Sequence, residues 1–187
     1  MFRLFNKNAK VYVLNGGLPR WEAEKRPLES GESKPVEKRG SFYVNPDYSM
    51  VRVLDQVMDL INDYKAGKTD MTVIDTRPKG RFDGTQPEPR PGLTCGHMPG
   101  SIGIPFSDFS DPSKNFQLRS KEEIEKIFKD AGVDIRRKEP IVFSFVMIFD
   151  YLMYSCGSGN TACVGLFAAH LLNRREPGRY FLFFYNL

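Results

Sequence analysis

Apolar residues along the chain gather into short clusters of regular period, separated by polar stretches. Between Tyr48 and Lys65, the residues Val53, Leu54, Val57, Leu60 and Ile61 recur at helical spacing, which predicts an amphipathic helix ended by Gly67. Met71–Asp75 and Ser101–Phe106 are apolar runs of strand length. Over Ser120–Ala131 the apolar residues Ile124, Ile127 and Phe128 share one helical face. Ser120 stands there as N-cap, Glu123 occupies the capping-box position, and Gly132 closes the element. Pro140–Ser144 reads as a strand, and an apolar, helix-like run follows from Ala162 to Leu172. This β-α-β-α alternation predicts an α/β fold, a parallel sheet flanked by helices. Ligands of such sheets bind beyond the carboxyl ends of the strands, where the polar segment Thr76–Met98 with Arg77, Arg81 and Arg90 should project.

The two ends of the chain break the pattern. Lys10–Leu14 has strand composition, Asn15-Gly16-Gly17 interrupts it, and a short helical stretch runs from Pro19 to Lys25. One strand and one helix cannot enclose a core. Arg26–Asn45 is rich in Pro, Gly, Ser and charge, without apolar periodicity, and reads as a linker. The expected organisation is therefore a remnant of a first domain over 1–25, a linker over 26–47 and a second domain over 48–187. Near the other end, Tyr180–Tyr185 is aromatic and of high strand propensity; the reading preferred is an aggregation-prone tail over a strand of the sheet.

Composition narrows the functional classes. The 187 residues suffice for one core, with a fragment of another. Lys and Arg number 27 against 23 Asp and Glu, a net +4 scattered along the chain, which argues against a nucleic-acid partner and is compatible with a small anionic substrate. Three cysteines without CxxC spacing argue against a disulfide framework or a zinc cluster and suggest a reducing compartment. No signal peptide is evident. The most apolar run, Ile141–Tyr154, is short for a membrane span and contains Asp150.

The candidate chemistry lies in Cys156-Gly157-Ser158-Gly159-Asn160-Thr161, directly before the last helical run. A cysteine opening a glycine-containing loop at a helix start meets converging backbone N–H groups, and the helix N-terminus favours thiolate over thiol. The alternative is a glycine-rich turn beside an inert, buried cysteine. A cysteine phosphatase would need an arginine six residues after the nucleophile, where Ala162 stands.

Four motifs in order resemble the second domain of the 3-mercaptopyruvate sulfurtransferases, in the rhodanese superfamily: Asp75-Thr76-Arg77, Gly80-Arg81-Phe82-Asp83-Gly84-Thr85 with Glu88-Pro89-Arg90, Gly96-His97-Met98-Pro99-Gly100, and Cys156-Gly157-Ser158-Gly159. Val13-Leu14-Asn15-Gly16-Gly17-Leu18-Pro19-Arg20-Trp21 looks like the closing strand and helix of that family's first domain. The resemblance implies a rhodanese-like parallel sheet flanked by helices. It also implies that Cys156 takes sulfur from 3-mercaptopyruvate (or thiosulfate), releasing pyruvate from the former and leaving a persulfide that a small thiol, thioredoxin or cyanide accepts. Neither a metal nor an organic cofactor is implied, nor a membrane or nucleic-acid partner, and the location implied is cytoplasmic or mitochondrial.

By the same resemblance Arg81 and Arg90 bind the substrate; a guanidinium matches a planar carboxylate with two parallel hydrogen bonds. The other reading of each arginine is a structural ion pair with Asp83 or Glu88. Gly157, Ser158, Gly159 and Thr161 cradle the sulfur, the two hydroxyls either donating to ligand or bracing the loop. Arg77 and Asp75 brace the strand end, His97 fixes a turn, and Cys95 and Cys163 are spectators. Gly157 and Ser158 stand where thiosulfate-using relatives place basic residues, which favours mercaptopyruvate as donor; Asn160 departs from the small aliphatic residue usual in its place. The chain departs from the family pattern in three further ways. It begins late in the first domain, its expected last strand is missing after Asn173, and eleven residues, Phe145–Ser155, interrupt the approach to Cys156. Extended, the insert would add about 36 Å of reach, and as a helix about 16 Å, in either case taking the cysteine from the strand end. A truncated or mis-spliced product acting as an inactive binding module is the competing reading.

Overall fold

In the computed structural model the described residues are 2–5, 10–32, 40–41, 43–48, 51–69, 72–89, 95–136, 141–144, 146–147, 154–155, 160–172 and 180–183. They divide into two compact units, Met1–Tyr48 with Asp111–Leu118, and Ser49–Ser110 with Arg119–Leu187.

The first unit holds two short helices, α1 (Phe2–Phe5) and α2 (Gly17–Ala23). Trp21 donates its indole N–H to Pro27 O at 2.9 Å, and the Arg26 guanidinium lies 5.3 Å from its ring centre. The strand expected at Lys10–Leu14 does not form: these residues are irregular, and Tyr12, Val13 and Leu14 are 86%, 61% and 59% exposed. Strand propensity expresses itself only against a neighbouring strand, and none pairs with this stretch among the described residues.

The second unit begins with strand β1 (Val51–Arg52) and helix α3 (Leu54–Lys65). The helix expected from Tyr48 onward thus starts later, because Val51 and Arg52 are drawn into the sheet and Val53 stays extended at φ −88°, ψ 167°. Gln56 supplies the first-turn cap, its side-chain oxygen accepting from Val53 N at 3.2 Å. There follow β2 (Thr72–Asp75), the single-turn helix α4 (Lys79–Phe82), β3 (Ile102–Gly103) and a 3₁₀ turn at Phe106–Phe109. The chain leaves this unit at β4 (Ser110–Asp111), returns through β5 (Gln117–Leu118) and forms α5 (Lys121–Asp130). As its sequence requires, Ser120 Oγ accepts from Glu123 N at 3.2 Å, the Glu123 carboxylate accepts from Ser120 N at 2.8 Å, and Gly132 leaves the helix at φ +76°.

After β6 (Ile141–Ser144) come β7 (Val146–Met147) and β8 (Tyr154–Ser155), then α6 (Asn160–Leu171) and β9 (Tyr180–Phe183). The five-stranded sheet has the order β1-β9-β6-β2-β3 and is parallel throughout. Tyr180–Phe183 is therefore an interior strand, with Val142 opposite Phe181 and Val51 opposite Leu182. The reading of this stretch as a tail is corrected. The place between β1 and β6 needs a strand to satisfy backbone groups on both sides, and an aromatic run of strand propensity fills it.

Of the insert before the cysteine, the described residues are Val146–Met147 and Tyr154–Ser155, and both pairs are strand. Val146 pairs antiparallel with Ser155, and Met147 with Tyr154, so the excursion closes on itself and Ser155 returns beside the residue two positions after the end of β6. The end-to-end reach expected of an extended or helical insert is therefore not realised at Ser155, since chain that doubles back adds length without adding reach; Cys156 itself lies outside the described residues.

Side chains of the strands alternate between two cores. On one face Val73 and Val142 meet Val57 and Ile61 of α3, and Met98. On the other, Phe143 meets Phe128 of α5 edge-on at 6.4 Å, and Phe128 meets Phe109 at 5.4 Å. Helix α6 lies on this second face, with Ala162, Ala168 and Ala169 buried. Its closest approach is at Gly165, where an added Cβ would sit 2.9 Å from Phe143 Cδ1 and 3.0 Å from Thr76 Cγ2. Gly165→Ala therefore opposes two effects, a gain of about 1 kcal/mol in helix propensity and an overpacking cost of about 1–3 kcal/mol. Because Phe143 is fully buried and Thr76 short, we expect net destabilisation, read as a lower urea midpoint by circular dichroism. By the same measurement Ser120→Ala lowers stability by about 1 kcal/mol through loss of its cap.

Candidate active site

The sheet order fixes where a ligand can enter. Strands β2 and β6 are neighbours, but the chain runs from β2 outward to β3 on one side and from β6 to β9 on the other. Connections leaving in opposite directions open a crevice beyond the carboxyl ends of the two strands. Asp75 and Ser144, the last residues of β2 and β6, are register partners across that point.

From β2 the chain brings a buried ionic cluster to the crevice. Asp75, Thr76 and Arg77 are at most 1% exposed. Arg77 donates its backbone N–H to Asp75 Oδ1 at 2.9 Å, its Nε to both carboxylate oxygens at 3.1 and 3.0 Å, and its Nη2 to Oδ2 at 2.6 Å. The same guanidinium reaches Glu88 Oε1 at 2.9 Å through Nη1 and Gly96 O at 2.5 Å through Nη2. Burial disfavours its charge, but hydrogen bonding to Asp75 and the charges of Asp75 and Glu88 outweigh that, so its pKa is raised. The arginine is thereby a permanent cation tying the strand end to two distant loop segments.

Arg81 projects from α4 into the same cluster, its side chain 14% exposed. Nε and Nη2 donate to Glu88 Oε2 at 3.0 and 2.6 Å. Of the two carboxylates weighed as partners, Glu88 takes Arg81, whereas Asp83 pairs with Lys79 at 2.7 Å. The turn after α4 is tightened by Thr85 N and Gln86 N, both donating to Gly80 O at 2.8 and 2.9 Å. Gly96 N donates to Arg81 O at 3.2 Å. His97 stacks on Phe82 at 3.9 Å and 8°, with Nδ1 donating to Phe82 O at 2.8 Å, which leaves Nε2 as the acceptor nitrogen. These bonds give His97 a turn-fixing role. Cys95 Sγ donates to Gly84 O at 3.3 Å.

From β6 the chain reaches the crevice through the β7–β8 ribbon and the start of α6. Thr161, in the first turn, has a buried hydroxyl oxygen that finds no partner among the described residues. It stands four residues before Gly165, hence on the same helical face, the one that meets Thr76 beyond β2. Cys163 is half-buried, and burial pushes its thiol pKa up. Of the residues expected from sequence, Arg81 lies on α4 after β2 and Thr161 in the first turn of α6, while Arg90, Cys156, Gly157, Ser158 and Gly159 lie outside the described residues. Sequence reasoning offered Glu88 as an alternative partner of Arg81 or Arg90; its bridging of Arg77 and Arg81, eleven and seven residues away, has no local signal.

Comparison with known proteins accords with this geometry. A scan against protein-family models finds no match. The chain is 34% identical to human 3-mercaptopyruvate sulfurtransferase over 176 residues, covering 94% of this chain and 52% of the relative. It is 36% identical over 191 residues to thiosulfate/3-mercaptopyruvate sulfurtransferase 1, mitochondrial, of Arabidopsis thaliana, covering 94% and 46%. To the thiosulfate sulfurtransferase of Gallus gallus it is 32% identical over 180 residues, covering 96% and 54%. Among solved structures, the rhodanese-fold 3-mercaptopyruvate sulfotransferase SseA from Escherichia coli superposes with a TM-score of 0.71 at 27% identity, over 97% of this chain and 57% of that one. The chain spans about half the length of the curated relatives it matches. In its parallel sheet, its crevice and these relatives alike, the chain belongs to the rhodanese superfamily, as a homologue of the 3-mercaptopyruvate and thiosulfate sulfurtransferases.

Proposed function

We propose that this chain is the catalytic half of a sulfurtransferase, moving sulfane sulfur from 3-mercaptopyruvate through a Cys156 persulfide to a small thiol, thioredoxin or cyanide. The observation that carries the reading is the crevice between β2 and β6, to which the arginine-bearing segment comes from one strand and the start of α6 from the other. The Cys156 thiolate attacks the sulfur of the donor; the new S–S bond forms as the C–S bond breaks, and the electron pair leaves on carbon as the enolate of pyruvate, which takes a proton. An acceptor thiolate then attacks the outer sulfur and restores the Cys156 thiolate. Two anions must be held, the cysteine sulfur and the donor carboxylate. The N-terminus of the twelve-residue α6 and the N–H groups of Gly157, Ser158 and Gly159 suit the first. Arg81 and Arg90 suit the second, and the unpartnered Thr161 hydroxyl donates to whichever ligand atom enters.

The paired β7–β8 ribbon favours an intact site over a disabled one, since it returns the chain at Ser155 beside Val146, two residues after the end of β6 and immediately before Cys156. The boundary after Tyr48 is in keeping with a second domain that begins near residue 48, after a first-domain remnant over 1–25 and a linker over 26–47, although Asp111–Leu118 groups with the first unit. No helix among the described residues is long and apolar enough to cross a membrane, and persulfide chemistry needs free thiols, which suits cytosol or mitochondrion.

Intact mass after incubation with 3-mercaptopyruvate tests the function: the chain gains one sulfur and Cys156→Ser does not. A chain that gains none, with or without Phe145–Ser155, defeats the reading. Arg81→Ala should reduce kcat/KM about 100-fold, the equivalent of one charge-assisted contact of about 3 kcal/mol. Alkylation with iodoacetamide at neutral pH should label Cys156 well before Cys163, whose thiol burial pushes the other way; peptide mapping of the time course reads the order, and simultaneous labelling counts against an activated Cys156.

A further inference from the structure

Helix α4 is a single turn, Lys79–Phe82, with no side chain capping its start and no buried residue. A helix of that length does not persist by itself, and its last four carbonyls have no partner within it. The chain supplies a donor to each. Lys79 O accepts from Asp83 N at 2.8 Å, and Gly80 O from Thr85 N and Gln86 N at 2.8 and 2.9 Å. The other two are met from further along the sequence: Arg81 O accepts from Gly96 N at 3.2 Å, and Phe82 O from His97 Nδ1 at 2.8 Å. A carbonyl only accepts, so a neutral His97 carries its proton on Nδ1. The imidazole also stacks on the Phe82 ring at 3.9 Å. Gly103 of β3 meets the same ring so closely that an added Cβ would sit 3.0 Å from Phe82 Cγ. Gly96 O is in turn held by the buried Arg77 guanidinium, which anchors the Gly96-His97 pair itself.

Resting on the sulfurtransferase reading above, we infer that His97 is a positioning residue for the donor site: by capping the Phe82 carbonyl it fixes the end of α4, and with it the direction in which Arg81 leaves the chain. The backbone has two soft dihedrals per residue. Bonds to the two successive peptide groups that follow the Arg81 Cα, one from Gly96 and one from His97, restrain those dihedrals where the turn has no other support. An error there is magnified along the arginine side chain, and a misplacement of about 1 Å in a clamping group is enough to weaken its grip. His97 needs neither a charge nor a contact with the donor for this role.

Titration of pyruvate, the donor without its sulfur, into the full chain tests this, followed by NMR of the isotope-labelled protein so that weak binding is still read. His97→Phe keeps a ring on Phe82 and loses the donor. His97→Asn loses the ring but keeps an amide N–H2 as many bonds from the backbone as Nδ1. The pyruvate dissociation constant should rise about tenfold in His97→Phe, the worth of one hydrogen bond, and by a smaller factor in His97→Asn. In an Arg81→Ala background, His97→Phe should cause no further loss, because the turn then has no guanidinium to aim. A merely structural residue would lower the urea midpoint and leave the affinity of the folded chain alone, or weaken it equally in both backgrounds. Either result overturns the proposal, as does a loss in His97→Asn as large as in His97→Phe, or failure of the wild-type chain to bind pyruvate. Should His97→Phe not fold, His97→Gln, whose amide stands one bond too far, reads the same loss, and an unmoved affinity again overturns it. The function is separable: sulfur gain with unmoved affinities keeps the activity and loses the role of His97, whereas moved affinities without sulfur gain do the reverse.

Discussion

The buried guanidinium of Arg77 is the constraint on which the site end of the domain depends. It is 1% exposed and is held by two carboxylates and a carbonyl drawn from three stretches of chain, ending at Asp75, Glu88 and Gly96. A buried ion stripped of one partner costs about 3–5 kcal/mol. The segment between Arg77 and Gly96 is therefore fastened at both ends, not by an apolar core but by the need to keep one cation compensated. Arg81, on α4 within that segment, inherits its position from the same carboxylate. A polar crossing of this kind suits a ligand crevice, where apolar packing would close the space that a substrate needs.

The opposite wall is positioned by different physics. Helix α6 carries alanines and glycine toward the sheet, and Gly165 allows contact with both Phe143 of β6 and Thr76 beyond β2. One helix thus touches the ends of both strands that frame the crevice. Its first turn, with the buried Thr161 hydroxyl, is set by van der Waals contact one turn further along. Thr76, directly after Asp75 of the charged cluster, is also the residue that Gly165 of α6 approaches.

What was legible in the sequence follows from the range of the forces involved. The Ser120–Glu123 capping box, the stop at Gly132 and the Asp75–Arg77 brace are local, each decided within a few residues, and each stands in the structure as read. The element alternation is nearly local and gave the α/β class. Strand assignments at the margins failed in both directions for one reason: Lys10–Leu14 and Tyr180–Phe183 have similar propensity, yet only the second has neighbours on both sides. Pairing partners are a property of the whole topology and cannot be read from the stretch itself. Glu88 joins residues seven and eleven positions away, beyond any periodic signal, so its bridging role was invisible even though its pairing with Arg81 was among the alternatives.

The insert before Cys156 carries the same lesson to the function. Counting residues gives reach only if direction is known, and eleven residues placed end to end would remove the cysteine from the crevice. Antiparallel pairing of Val146 with Ser155 cancels the displacement, since neighbouring strands stand about 4.8 Å apart whatever length of chain joins them. The approach to the loop is then set by two short-range contacts, Val146 with Ser155 on one side and Gly165 with Phe143 on the other. Both refer back to β6. An insertion whose two ends pair with each other brings its last residue back beside its first, so the chain re-enters at Ser155 close to where it left β6, whatever length of sequence lies between.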